Sequence, residues 1–142
     1  VGVERDYIVR FPLRGVWKIA LRRSDGRAVG FQVLEPFATY TTAFDHVATL
    51  GTYVDLDQRR QGIATTLFAA TIEAARQKGY EKIFTFVRAD NPAALATYRV
   101  QGFAVVGTAR RHARIDVRYI DEILIDDGGD VRPNLESSRS LR

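Results

Sequence analysis

Cysteine is absent from this 142-residue chain, and so is methionine. Without cysteine there is no disulfide, no thiolate zinc site and no cysteine nucleophile. The two histidines, His46 and His112, are too few for a multi-histidine centre, so no metal is expected. No apolar run approaches the roughly 20 residues that span a bilayer. No secretory pattern opens the chain. These absences lead to the expectation of a cytoplasmic protein with no membrane partner. The missing methionine includes the initiator. Either processing removed it before Val1, or the start of a longer chain lies upstream.

What is present suits one folded domain. Hydrophobic residues make up 46% and charged residues 27%, a balance that favours a packed core over disorder. Residues 1–125 are expected to form that domain. Residues 126–142, rich in Gly, Ser, Asp and Arg and without periodicity, read as a flexible polar tail. The formal charge is +4. The tail carries a net −1, so the domain carries +5, which favours anionic partners such as phosphate-bearing ligands.

Alternation around Trp17, Ile19 and Leu21, then Ser24-Asp25-Gly26, then alternation around Val29, Phe31 and Val33 predicts a hairpin. Pro36 ends its second strand. A third strand is expected over residues 46–54, with Gly51 inside it. Ile63, Leu67, Ala70 and Ala74 share one helical face, and Gly79 closes that helix. Residues 82–88 read as a buried strand. Asn91-Pro92 opens a second helix, with Asn as cap and Pro in the first turn. Residues 103–115 and 119–125 form a closing hairpin around Asp116-Val117-Arg118. The order predicts an α/β chain of the α+β, mixed-sheet kind. The central strand–helix–strand unit supplies one parallel pair, and the hairpins supply antiparallel ones.

The segment Val54-Asp55-Leu56-Asp57-Gln58-Arg59-Arg60-Gln61-Gly62-Ile63-Ala64 joins a strand directly to a helix. The first turn of a helix offers free backbone N–H groups and the positive end of the macrodipole, an anion site that needs no side chain. Gly62 and Ala64 leave room for a phosphate, and Arg59 and Arg60 add charge. Neither the Walker nor the Rossmann glycine pattern is met. An ordinary glycine-containing helix entry is the alternative.

The pattern Arg59-x-x-Gly62-x-Ala64 after a strand resembles the pyrophosphate loop of the GNAT superfamily of acyl-CoA-dependent N-acetyltransferases. A second block, Asn91-Pro92-x-Ala94-x-x-x-Tyr98-x-x-x-Gly102-Phe103, resembles the same family one strand downstream. The resemblance covers residues 16–125. It implies a GNAT-like fold with a mixed, mostly antiparallel sheet, and acetyl-CoA as co-substrate. It also implies transfer of the acetyl group to a primary amine of a small molecule or peptide, by direct attack. In that reading the backbone at Tyr53 and Val54 pairs with the pantetheine arm. Arg59, Arg60, Gln61, Gly62, Ile63, Ala64 and Thr65 hold the pyrophosphate. Asn91 contacts the cofactor arm, and Tyr98 protonates the leaving thiolate. Gly51 falls where family strands are bulged and splay from their neighbour. The alternatives are a plain N-cap for Asn91, a core tyrosine for Tyr98 and a plain helix residue for Thr65.

The general base is less determined, with Glu35, Asp45, His46, Glu122 and an ordered water as candidates. Relatives usually carry a strand and two helices before the first hairpin, whereas about 15 residues precede it here. These front elements are therefore expected to be shortened or missing, with residues 4–11 as a possible short strand. The alternative function is a catalytically silent acyl-CoA-binding or sensing module. A homodimer through the final hairpin is an expected partner. Nucleic acid is not, because Arg110, Arg111, Arg114 and Arg118 do not share a face and lack an aromatic platform.

Overall fold

The computed structural model describes residues 14–55, 57, 62–129 and 131. The expected strand over residues 4–11 lies outside them. The strands are β1 (Val16–Leu21), β2 (Ala28–Pro36), β3 (Val47–Val54), β4 (Lys82–Arg88), β5 (Ala104–Ile115) and β6 (Arg118–Asp126). The helices are α1 (Ile63–Gln77) between β3 and β4, and α2 (Pro92–Val100) between β4 and β5. All eight fall where the sequence places them, with ends shifted by a residue or two. The strands form one sheet in the order β1-β2-β3-β4-β6-β5. Only β3 and β4 run parallel; the other pairs are antiparallel. No helix among the described residues is long and apolar enough to cross a membrane.

Strand alternation marks two faces, and the burial pattern tells which one the helices cover. Val16, Gly30, Gln32, Leu34, Ala48 and Leu50 are buried and lie on the side where α1 packs. Trp17, Ile19, Leu21, Phe31 and Tyr53 point the other way and stay at least one-third exposed. The core joins Leu34, Leu50, Phe68, Tyr80, Ile83, Tyr98, Phe103 and Ile125. At α1's end Gly79 has φ +86°, and Tyr80 N–H reaches back to the Ala75 carbonyl. This wrap satisfies the last carbonyls, as glycine at C′ allows. Arg14 adds to the clasp, donating to the Lys78 and Asp45 carbonyls while its guanidinium stacks on Tyr80.

Gly30 lets α1 sit down on β2. A Cβ there would lie 2.9 Å from the Tyr53 carbonyl oxygen and 3.3 Å from Ile63 Cγ2. The carbonyl belongs to the sheet and cannot swing away. Gly30→Ala is therefore expected to cost about 1–3 kcal/mol through overpacking, read as a lower urea midpoint at unchanged slope.

The closing hairpin turns through Asp116 (φ +48°) and Val117 (φ +59°). Two consecutive left-handed residues make the turn type whose twist suits a two-residue hairpin, a place normally held by Asn-Gly or Asp-Gly. Valine is branched at Cβ and strained in that region. Val117 is 82% exposed, so its side chain contributes little packing in return. Val117→Gly is expected to stabilise the protein by about 1 kcal/mol, after glycine's greater freedom in the unfolded chain is subtracted. Urea unfolding checks this.

Residues after Ile125 remain tied to the fold as far as they are described. Asp127 Oδ1 accepts from Ile83 N–H and Gly129 N–H, and Val131 is buried in the core. Burial also pushes the Asp127 carboxyl up. The packing of the described residues therefore continues past Ile125, through Asp127 and Val131.

Candidate functional site

β3 and β4 pair at only two positions, Val47↔Lys82 and Ala48↔Ile83. One further link follows, from Thr85 Oγ1 to the Leu50 carbonyl at 2.6 Å. Past it the strands diverge. β3 stays with β2 up to Gly30↔Val54, while β4 stays with β6 up to Arg88↔Glu122. The result is a wedge bounded by residues 51–54 on one side and 86–88 on the other. The β2–β3 register runs without a shift from Pro36↔Ala48 to Gly30↔Val54. The bulge expected at Gly51 is therefore not present. The divergence arises from the different partners of β3 and β4, and needs no extra residue in either strand.

β3 leads toward the N-terminus of α1. Gly62 caps that helix with φ +75°, a left-handed conformation that glycine adopts without strain. A Cβ at Gly62 would meet nothing within 4 Å. Among the described residues no side chain caps this end, and no acidic residue sits in its first turn. The first helical bond is Thr66 N–H to the Gly62 carbonyl. The N–H groups of Ile63, Ala64 and Thr65 precede it and point out of the helix end. Thr65 Oγ1 accepts from Gln101 Nε2 at 3.3 Å, which ties the end of α2 to this first turn. Nearby, Asp55 is paired with Arg27 and accepts from the Tyr53 hydroxyl, so its charge is already engaged. Arg59, Arg60 and Gln61 lie outside the described residues.

Tyr98 comes from α2, on the β4 side of the wedge, and reaches β3. Its hydroxyl lies 2.8 Å from Thr52 Oγ1. The ring packs edge-on against Phe68 and Phe103 and is 5% exposed. It is at once a core tyrosine and a hydroxyl set beside the diverging strands. Burial pushes its phenol up, while the Thr52 hydrogen bond pulls it down. Asn91 Oδ1 accepts from Ala94 N–H, so Asn91 is an N-cap, with Pro92 in the first turn.

On the face opposite the helices, a cleft of about 330 Å³ opens at the wedge, lined by Glu35, Thr49, Gly51, Thr85 and Phe86 among others. Of the four candidate bases, Glu35 alone lines it. Glu122 is buried on β6, in register with Arg88. Burial pushes its carboxyl up, against the pull of His112 and Arg88. His46 lines a separate hollow with Phe37, Phe44 and Phe84. Asp45 is exposed. The structure thus brings Tyr98, Glu35, the end of β3 and the α1 N-terminus around one wedge, and leaves Asp45 and His46 away from it. Thr52 and Gln32, which order the Tyr98 hydroxyl, were not singled out from sequence. The available signal was two polar residues in phase with the buried residues of adjacent strands.

Residues 5–103 match the acetyltransferase (GNAT) family. The chain is 33% identical over 98 residues to a mycothiol acetyltransferase from Clavibacter sepedonicus, covering 69% of this chain and 28% of that protein. It spans less than a third of the length of the curated relatives it matches. Among solved structures, ribosomal-protein-alanine N-acetyltransferase from Brucella melitensis is similar, with a TM-score of 0.71 and 30% identity. That match covers 88% of this chain and 73% of the other. A phosphinothricin acetyltransferase from Sinorhizobium meliloti, solved with acetyl-CoA, shares the fold. Its TM-score is 0.74 at 17% identity, over 88% of this chain and 66% of the other.

Proposed function

The chain belongs to the acetyltransferase (GNAT) family, and from that premise we propose that it transfers an acetyl group from acetyl-CoA to a primary amine by direct attack. One observation carries this reading: the Tyr98 hydroxyl stands at the wedge between β3 and β4, where β3 leads to a helix end that, among the described residues, has no side-chain cap and no acid in its first turn. A long thioester ending in a pyrophosphate suits both features. The residues fit it. The β3 backbone at Tyr53 and Val54 offers an edge with no β4 partner for the pantetheine arm. The N–H groups of Ile63, Ala64 and Thr65 suit the pyrophosphate, with Gly62 leaving its approach open. Arg59, Arg60 and Gln61 are expected to add charge and donors there. Asn91 uses its carbonyl in the cap, so its amide nitrogen is the atom left for the cofactor arm.

In this reading the amine enters from the cleft on the opposite face. Glu35, or a water it holds, takes the amine's proton. The nitrogen then attacks the thioester carbon, the C–S bond breaks with its electron pair on sulfur, the sulfur takes the proton of Tyr98, and the nitrogen gives its second proton to solvent as the amide forms. An amine acceptor in peptide form has support in the similarity to a ribosomal-protein-alanine N-acetyltransferase.

The test is thiol release from acetyl-CoA with a panel of acceptors: a polyamine, free amino acids, an aminoglycoside and a peptide beginning with alanine. Calorimetry with CoA runs beside it. Release that depends on one acceptor supports the proposal. Absence of both binding and release would sink it. Tight CoA binding without release would favour the second reading, a silent acyl-CoA-binding module. That reading has its own observation: β3, Val47–Val54, carries no acidic residue.

A further inference from the structure

Gln32 is fully buried and lies beside Thr52 in the β2–β3 register. Its Nε2 donates to Thr52 Oγ1 at 3.1 Å. Thr52 Oγ1 in turn lies 2.8 Å from the Tyr98 hydroxyl. A threonine hydroxyl has one proton to give and lone pairs to receive. With Gln32 already donating into it, the direction of the second bond becomes the question. Thr52 has no side-chain hydrogen bond other than these two among the described residues. If Tyr98 donated to Thr52, the Thr52 proton would turn toward the wedge, since Thr52 is only half-buried, and the Tyr98 proton would be spent on Thr52. Either direction leaves one proton over; when Thr52 donates to Tyr98, it is the Tyr98 proton, held at the wedge between β3 and β4.

We propose that Gln32 and Thr52 are positioning residues that form a one-way hydrogen-bond chain, Gln32 N–H to Thr52 O–H to Tyr98, which keeps the Tyr98 proton free for the leaving sulfur. This rests on the reading of Tyr98 as general acid. When the C–S bond breaks, the electron pair goes to sulfur and the Tyr98 proton follows it. Tyr98 becomes a phenolate, and Thr52 O–H is already aimed at the new charge. Solvent later returns a proton to the phenolate. Preorganised donors of this kind stabilise charge as it develops, without rearranging. Gln32 acts one step further back. By donating to Thr52 it polarises that hydroxyl and prevents it from turning round. The alternation of β2 and β3 puts both side chains on the helix side of the sheet, and α2 carries Tyr98 to meet them.

The experiment uses Thr52→Val, Thr52→Ser, Gln32→Leu, Tyr98→Phe and the double variant of Thr52→Val with Tyr98→Phe. Thiol release is followed with acetyl-CoA and whichever acceptor turns over. Thr52→Val is expected to lower kcat about 10-fold, the scale of one hydrogen bond to a developing charge. KM for acetyl-CoA should stay within about two-fold, because the pyrophosphate contacts are untouched. Thr52→Ser should restore kcat. Gln32→Leu should fall between. On the Tyr98→Phe background, Thr52→Val should change nothing further, which a merely structural role would not produce.

A second readout does not need turnover. In protein labelled with 13C at the tyrosine ring, the Tyr98 signal, assigned by its loss in Tyr98→Phe, should titrate at higher pH in Thr52→Val than in the parent. The reason is that the phenolate has lost its donor. An unmoved titration, or equal losses from Thr52→Val with and without Tyr98, overturns the chain. If Tyr98→Phe keeps full kcat while the titration still moves, the hydrogen-bond chain stands and the general-acid reading is the one that fails.

Discussion

Tyr98→Phe is expected to lower kcat about 100-fold while leaving CoA binding and thermal stability close to the parent. General acids contribute roughly 10²–10⁴-fold, and a thiolate, a good leaving group, places this one near the low end. Phenylalanine keeps the ring that packs against Phe68 and Phe103. It deletes only the oxygen bonded to Thr52. That bond is worth about 1 kcal/mol or less to folding, so the unfolding midpoint should move little. The pH profile offers an independent check. The parent should lose kcat as alkali ionises Tyr98, whose phenol is raised by burial. In the variant that limb should be absent. A Tyr98→Phe enzyme with parental kcat and an unchanged alkaline limb would return Tyr98 to the core and leave sulfur protonation to solvent.

The elements of the fold were legible because each had a local cause. Asn91-Pro92 starts α2 through a cap that the structure shows, Asn91 Oδ1 to Ala94 N–H. Gly79 ends α1 in a left-handed turn. Less legible was the side of the first hairpin that faces the helices. Period-two alternation drew attention to Trp17, Phe31 and Val33, yet α1 packs over Val16, Gly30 and Leu34. The reason is steric. A helix lying close on a sheet favours small residues beneath it, and Gly30 has no room for a Cβ. The apolar residues of the other face are larger and more conspicuous in sequence.

The site divides in the same way. The helix entry at Gly62 can be read because its chemistry is carried by consecutive backbone N–H groups. The Gln32–Thr52–Tyr98 chain cannot, because Gln32 and Thr52 meet only through β2–β3 register, and Tyr98 arrives from an element 46 residues further on. Register also decides which acid stands at the cleft. Glu35 lines it by facing Thr49 across β2–β3. Glu122 looks equally plausible in sequence, yet it is buried beside Arg88 on another pair of strands. The expected bulge at Gly51 came from the resemblance. Its absence shows that unequal partnering alone can separate adjacent strands.

Phe68→Ala is the counterpart of Tyr98→Phe, with the effects reversed. Phe68 is fully buried and stands on α1 between the helix entry and the core. Its ring meets Tyr98 edge-on at 5.4 Å and Phe103 at 6.0 Å. Truncation removes the transfer free energy of the ring and leaves a cavity, a loss of about 3–5 kcal/mol. For a chain of this length that corresponds to a fall in Tm on the order of 10 °C. The Tyr98 ring then lacks the partner that fixes one of its sides, so the hydroxyl samples positions away from Thr52. We expect kcat to fall at temperatures where the variant is still folded, because a general acid must be held in place. Thr52→Val combined with Phe68→Ala should therefore cost kcat less than the product of the two alone. Unfolding by urea and turnover in the cold measure both effects on the same samples. A Phe68→Ala protein that loses several kcal/mol yet keeps full kcat would show that the Thr52 hydroxyl alone places Tyr98. A loss under about 1 kcal/mol would contradict the placement of Phe68 at the centre of the core.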